Sequence, residues 1–171
     1  MSSATSSTKV AQPTDMEAPK KSALPVLLRL DAALFAAALS LGAALIHLWV
    51  VPEHAFAWWA YGAFFITVAL AQGLLGVALL RWPGRWVALA GIAGNLAVVA
   101  MYVLSRTSGI PLGPHAGRPE EAGALDMAAT ASEVVVIVLL VGMLDGPYRR
   151  AVVNALLVLG LAVWSLRLAG V

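Results

Sequence analysis

Five apolar segments, each about as long as a lipid bilayer is thick, dominate this chain of 171 residues. A hydrocarbon layer of about 30 Å is crossed by roughly 20 residues of α-helix, whose backbone groups must bond within the segment. Apolar residues make up 61% of the sequence, charged residues make up 12%, and the mean hydropathy is +0.87, which excludes an ordinary soluble domain. We therefore predict an all-α integral membrane protein, a bundle of about five transmembrane helices with spans at about 32–51, 57–80, 86–104, 125–144 and 151–168.

The N-terminal residues 1–25 differ from the rest because they are rich in Ser, Thr, Pro and charge. Such a segment buries too little apolar surface to fold, so we predict a flexible tail in front of a transmembrane domain, residues 26–171. The first span is expected to begin behind Asp31 as its N-cap and to stop at Pro52. A signal peptide cleaved near Ala55-Phe56-Ala57 is the alternative, and the long polar tail argues against it.

The distribution of Lys and Arg predicts the orientation of the bundle. Cytoplasmic connections of membrane proteins carry an excess of these residues. A cytoplasmic N-terminus puts eight of them inside and three outside; the eight are Lys9, Lys20, Lys21, Arg29, Arg81, Arg85, Arg149 and Arg150, and the three are Arg106, Arg118 and Arg167. We therefore predict that the N-terminus lies inside and the C-terminus outside.

The predicted outer connection from Ser105 to Ala124 is unusually long. Connections beyond about 12–15 residues are uncommon in compact domains and are often functional or disordered. Its Gly and Pro content favours defined turns, and it carries charges of both signs. Two interpretations stay open at this point: a lid over a site, or a solvated tether.

The fourth span carries a polar stripe that descends from its outer end. Asp126, Thr130 and Glu133 follow the i, i+4, i+7 pattern and share one helix face. Glu133 lies roughly 12 Å deep, where an ionisable group costs at least about 2.5–3.5 kcal/mol. The stripe should therefore face protein or water, unless the helix begins later and Glu133 lies near the interface. His47, roughly 6 Å inside the first span, is placed to meet it.

All three histidines lie at or just beyond predicted outer helix ends, together with several carboxylates. The candidate metal ligands are His47, Glu53, His54, His115, Asp126 and Glu133. Imidazole groups, with the thioethers of Met101 and Met127 nearby, suit copper or another transition metal better than magnesium or calcium. The chain has no cysteine and no fixed-spacing metal motif, and His47 alone would be an ordinary hydrogen-bonded interfacial residue.

Gln72 and Asn95 lie at similar depths in the second and third spans. We predict that they form a structural polar pair joined by an interhelical hydrogen bond. A polar transport path through the two residues is the alternative. The sequence has no nucleotide-binding loop, no nucleophile elbow and no nucleic-acid patch, so an enzyme is less expected than a binding or structural protein.

Two segments carry a family resemblance: His47–His54 (HLWVVPEH) and Leu104–His115 (LSRTSGIPLGPH). Five residues between them belong to the same pattern, namely Trp59, Gly62, Phe64, Phe65 and Gln72. They resemble a group of small multi-span membrane proteins of high-GC bacteria. The resemblance covers roughly residues 45–133, leaves out the tail and the last helix, supports the span boundaries and the outer-face motifs, and carries no mechanism. We predict a location in the bacterial cytoplasmic membrane.

Two functional hypotheses follow. In the first, a pocket at the outer face beneath the loop 105–124 binds copper or another transition metal, or a small polar ligand. In the second, the protein is a non-catalytic accessory subunit whose small residues pack against other membrane subunits. The lipid bilayer is the expected surrounding in both, and nucleic acid is an expected partner in neither.

Overall fold

A computed structural model describes residues 24–169, and these residues form five α-helices. They are α1 (Leu24–Ala57), α2 (Trp59–Arg81), α3 (Arg85–Thr107), α4 (Ala124–Met143) and α5 (Gly146–Leu168). The described residues contain no strand, so the prediction of an all-α fold is confirmed. The predicted flexible tail lies outside the described residues, except for its last two positions, which are the first two residues of α1.

Helices α1 to α4 are each long and apolar enough to cross a membrane. Their most apolar stretches have mean hydropathies of 2.1 or 2.2, and α2, α3 and α4 contain 23, 23 and 20 residues. Such helices are compatible with a multi-pass membrane protein. The fifth span stays a prediction. Helix α5 forms, but it is not among the described helices whose length and hydropathy fit a membrane crossing.

The first helix differs from its prediction at both ends. It begins at Leu24, so Asp31 lies inside it and does not cap it, and it continues through Pro52 to Ala57. The prediction that Pro52 ends the helix is therefore wrong. In apolar surroundings every unpaired backbone N–H or C=O group costs free energy. A helix that continues through proline loses one hydrogen bond and is therefore more stable than a helix that ends there and leaves several groups unpaired. Only Trp58 separates α1 from α2.

The two ends of the bundle have different chemistry. At one end, the turn at Trp58 lies next to the 108–123 connection, and the Tyr61 hydroxyl donates to the Leu112 carbonyl at 2.8 Å. We call this the loop end. At the other end, Arg29 bonds to Asp145 at 2.9 Å and the Arg85 guanidinium lies 5.3 Å from the Tyr148 ring. We call this the basic end.

The helices pack as a ring with one weak side. Helix α1 packs closely against α2, both α1 and α3 pack against α4, and α2 touches α3 far less. One face of α1 provides the closest contacts through small side chains spaced three or four residues apart, namely Ala33, Ala36, Ala37, Ser40 and Ala44. The continuous apolar core lies toward the basic end around Leu79, Val136, Leu140 and Leu144, which leaves the polar groups nearer the loop end.

Candidate ligand-binding pocket

Three helices contribute one polar side chain each to a buried network at the bottom of the pocket. The ring nitrogen Nε2 of His47 lies 3.0 Å from Oε1 of Glu133, and the Gln72 amide Nε2 donates to the same oxygen at 3.0 Å. These residues are only 5%, 1% and 4% exposed, respectively. His47 therefore meets the polar stripe of α4 at its deepest member.

The neighbours of Glu133 favour one assignment of donors and acceptors in the network. Because Oε1 of Glu133 already accepts from Gln72, its bond with His47 is best made by an Nε2–H of the imidazole. The second oxygen, Oε2 of Glu133, is enclosed and has no hydrogen-bond partner among the described residues. Ser40 supports the arrangement from α1, because its hydroxyl donates to the backbone carbonyl of Gln72 at 2.8 Å.

The predicted bond between Gln72 and Asn95 is not formed. Gln72 donates to Glu133, and the Asn95 amide donates to the Gly91 carbonyl in its own helix at 2.8 Å. The prediction compared depths only, and it assumed that helices joined by a short turn pack closely. In the structure α2 and α3 diverge, so the carboxylate on α4 is the nearer partner of Gln72.

A pocket of about 250 Å³ lies above this network, between the four helices and beneath the 108–123 connection. Apart from tyrosine and tryptophan, its polar members are His47, His54, Ser105, Arg106, Glu120, Asp126, Thr130 and Glu133. Its remaining walls are mainly aromatic and apolar, with Val50, Trp58, Tyr61, Phe64, Phe65, Met101, Tyr102 and Ile110 among them. The predicted stripe on α4 thus lines a cavity and does not face lipid.

His54 lines the same pocket from the last turns of α1. Its Nδ1 lies 2.8 Å from the Val50 carbonyl, which can only accept, so Nδ1 carries a proton. The ring packs against Phe65 with centroids 4.1 Å apart. His54 holds this position because α1 continues past Pro52, contrary to the prediction from the sequence.

Arg106 organises the loop end, a role that the sequence did not predict. Its guanidinium bonds to Asp126 at 2.6 Å and to Glu120 at 3.0 Å, and it lies 5.1 Å from the Tyr102 ring. One arginine therefore ties the end of α3 to the start of α4 and to the connection between them. The signal in the sequence was a single Arg at an otherwise apolar helix end, followed by carboxylates.

The 108–123 connection is a folded cap and not a solvated tether. Backbone bonds join Glu120 N to Ser105 O at 3.0 Å and Gly117 N to Ile110 O at 2.9 Å. Three glycines, Gly109, Gly113 and Gly117, have positive φ angles of 74°, 84° and 69°. Only glycine adopts this conformation without strain, so the glycine spacing fixes the path of the cap.

Replacing Gly113 with alanine should lift the cap from the bundle. A Cβ at this position would lie 2.6 Å from the Tyr61 hydroxyl and 2.7 Å from Trp58 Cε3, in addition to the strain of a positive φ. Gly117→Ala is the matched control, because it has the same strain but open space around its Cβ. We expect amide exchange in residues 108–123 to be at least about fivefold faster in Gly113→Ala than in Gly117→Ala. Equal rates would show that the cap does not depend on this contact.

The other two candidate ligands lie elsewhere. Glu53 and His115 are both exposed, and neither lines the pocket. Within residues 24–169, no group of three or more His, Asp or Glu side chains is arranged to hold a metal ion. Of the six candidates, the structure brings His47 and Glu133 into contact, adds His54 and Asp126 to the same pocket, and leaves two outside it.

Comparison with known proteins adds no family: no family model, no curated protein and no solved structure matches this chain. The resemblance to small membrane proteins of high-GC bacteria therefore stays a prediction. The pocket itself is what indicates a function.

Proposed function

We propose that this protein binds a small, mostly apolar molecule that carries a basic nitrogen, in the pocket beneath the 108–123 cap. The observation that carries the proposal is the charge of the pocket within aromatic walls. One guanidinium, that of Arg106, faces three carboxylates, those of Glu120, Asp126 and Glu133. The carboxylates outnumber the guanidinium, so the pocket favours a cation over an anion.

The size and walls of the pocket indicate the rest of the ligand. An apolar cavity of about 150 Å³ holds one benzene, so about 250 Å³ accommodates a single ring with a short substituent. Trp58, Tyr61, Phe64 and Phe65 line the pocket, and aromatic side chains around a cavity bind ammonium groups by cation–π attraction. Binding sites in proteins are typically apolar with a few polar groups, as here.

A site for copper or another transition metal is a weaker proposal than a site for an organic cation. The described residues offer a bonded pair, His47 and Glu133, with His54 held by its own helix, and no cluster of three ligands. Transition-metal sites in proteins usually need three or four protein ligands. A role as an accessory subunit of a larger membrane complex is the second alternative, and no described contact tests it.

The location that we propose is the bacterial cytoplasmic membrane, with the N-terminus inside and the pocket open toward the outside. Four apolar helices and the basic residues at the end opposite the cap support this placement. A cation reaching the pocket would then come from the extracytoplasmic side.

A thermal-shift series on the purified chain in mild detergent tests the proposal with four probes that share one ring. The probes are benzylamine, benzyltrimethylammonium, benzyl alcohol and benzoate. We expect both cations to raise the melting temperature in a concentration-dependent way, benzyl alcohol to act weakly, and benzoate to have no effect. Glu133→Gln should weaken benzylamine binding at least about tenfold, because it removes the buried charge and keeps the shape.

The matched control is Glu53→Gln, which removes an exposed carboxylate outside the pocket and should leave benzylamine binding unchanged. Benzoate binding as tightly as benzylamine, or equal benzylamine affinities for the wild type and Glu133→Gln, would overturn the proposal. Cu²⁺ added in place of the probes tests the metal alternative: a stoichiometric complex that His47→Ala abolishes would replace our proposal with a metal site.

A further inference from the structure

Helix α5 has almost no partner within its own chain. Near its start, Val152 packs against the apolar core and Leu156 is half-buried. Beyond Leu156, every described side chain of α5 is exposed. Three of them, Leu157, Val158 and Leu161, are 60%, 67% and 66% exposed and share one helix face. The helix therefore leaves the bundle and presents an apolar face with nothing against it.

A groove of about 440 Å³ lies on the weak side of the ring, between α2 and α3. Its walls are mainly apolar, and small exposed residues such as Ala71, Ala90 and Gly94 make it wide enough for side chains of another helix. Two polar residues line it, Gln72 and Asn95, which are 4% and 2% exposed. The amide oxygen of each has no hydrogen-bond partner among the described residues.

The exposed face of α5 carries the complementary group. Asn154 is exposed, lies on the same face as Leu157, Val158 and Leu161, and has two N–H donors on its amide. Counted along the helices from the basic end at about 1.5 Å per residue, Asn154 lies about 12 Å deep, Gln72 about 14 Å and Asn95 about 15 Å. With α5 crossing the membrane as the sequence predicts, the donors and the unsatisfied acceptors lie at similar levels.

We propose that two copies of this chain form a dimer in which α5 of each copy lies in the α2–α3 groove of the other. The two copies have the same orientation, so that their basic ends lie side by side. The contact is then self-complementary, as in two-fold symmetric dimers, and each copy gives one Asn154 and receives one. The enclosed oxygens of Gln72 and Asn95 turn toward the groove by rotation of their side chains and accept from the Asn154 amide, while Leu157, Val158 and Leu161 fill the apolar groove.

The second copy explains more of the observations than a lipid chain does. An acyl chain fills an apolar groove but has no donor for the two amide oxygens, and it leaves Asn154 unpaired among apolar side chains. Interhelical bonds from asparagine side chains are among the polar contacts that join helices in membranes. This inference does not depend on the ligand of the pocket beneath the cap.

Disulfide cross-linking tests the dimer directly, because the native chain has no cysteine. Two differently tagged chains, one with Gly94→Cys in the groove and one with Val158→Cys on α5, are co-expressed and oxidised in the membrane. We expect a heterodimer joined by a disulfide. Gly42→Cys on α1 replaces Gly94→Cys as the control, since both glycines are exposed and have open space around a Cβ. Cross-linking that is equal in both pairs, or absent from both, would overturn the proposal.

A second variant tests the polar contact without relying on cross-linking. Asn154→Leu keeps α5 apolar and helical but removes the donors of both Asn154 contacts in the dimer, so the dimer dissociation constant should rise roughly 10- to 900-fold. Leu159→Ala changes a residue on another face of α5 and should leave the constant unchanged. Mass measurement in detergent gives the constants. A monomer that retains lipid, or a stoichiometric complex with a different protein, would show that another occupant fills the groove and would exclude the proposed dimer.

Discussion

His47→Leu should lower the free energy of unfolding by about 3–5 kcal/mol, because it removes one partner of a buried pair and leaves the other in place. Glu133 is 1% exposed, and its Oε1 would retain only the bond from Gln72. The second oxygen already has no partner among the described residues. Reversible denaturation in mixed detergent micelles, followed by circular dichroism, measures the change.

Two further variants distinguish the loss of the His47–Glu133 pair from general damage to α1. His47→Leu combined with Glu133→Gln should recover most of the lost stability, because the amide needs no counter-charge. His54 lines the same pocket, but its ring bonds to a carbonyl of its own helix. His54→Leu should therefore lower the free energy of unfolding clearly less than His47→Leu does. Additive losses in the double variant would mean that His47 and Glu133 do not act as a pair.

Gly62→Leu should destabilise the α1–α2 hairpin by about 3 kcal/mol, the upper end of the usual cost of overpacking. A Cβ on residue 62 would lie 2.5 Å from the Ala55 Cβ and 2.9 Å from the Ala55 Cα, so backbone and not only a flexible side chain would have to move. The single residue Trp58 between the helices gives no slack to absorb such a movement. The same denaturation experiment measures the loss.

Gly73→Leu is the matched control for this prediction. It lies in the same helix, and a Cβ on residue 73 would have no neighbouring atom within 4 Å. Leucine has a higher helix propensity than glycine, so this variant should be neutral or slightly more stable. A similar loss in both variants would indicate that leucine disturbs α2 itself and not its contact with α1.

The polar network explains why the site forms at this level of the bundle. Small residues on α1 let α2 approach closely, which brings Gln72 next to the carboxylate that α4 supplies. The apolar core below, around Leu79 and Leu140, leaves no room for a polar group, whereas the cap above leaves a pocket. Packing toward the basic end and the cap at the loop end together define the cavity.

The candidate site was only partly predictable. The spacing of Asp126, Thr130 and Glu133 placed them on one face, and the depth of His47 suggested its meeting with Glu133. Nothing in the sequence showed that Arg106 would hold Asp126 and Glu120, because the three lie on different segments whose approach depends on the path of the cap. The usual helix-ending effect of proline predicted the wrong end for α1 and so placed His54 in a loop.

The sequence by itself determined the all-helical class, the approximate helix positions and the polar stripe on α4, because apolar segment length and helical periodicity are local properties of the chain. Only the tertiary structure decided that Gln72 bonds to Glu133 and not to Asn95, that the cap closes over a pocket, and that α5 stands apart. Each of these depends on which helix faces touch. Small differences in packing among similarly apolar helices set those contacts, and hydropathy does not distinguish them.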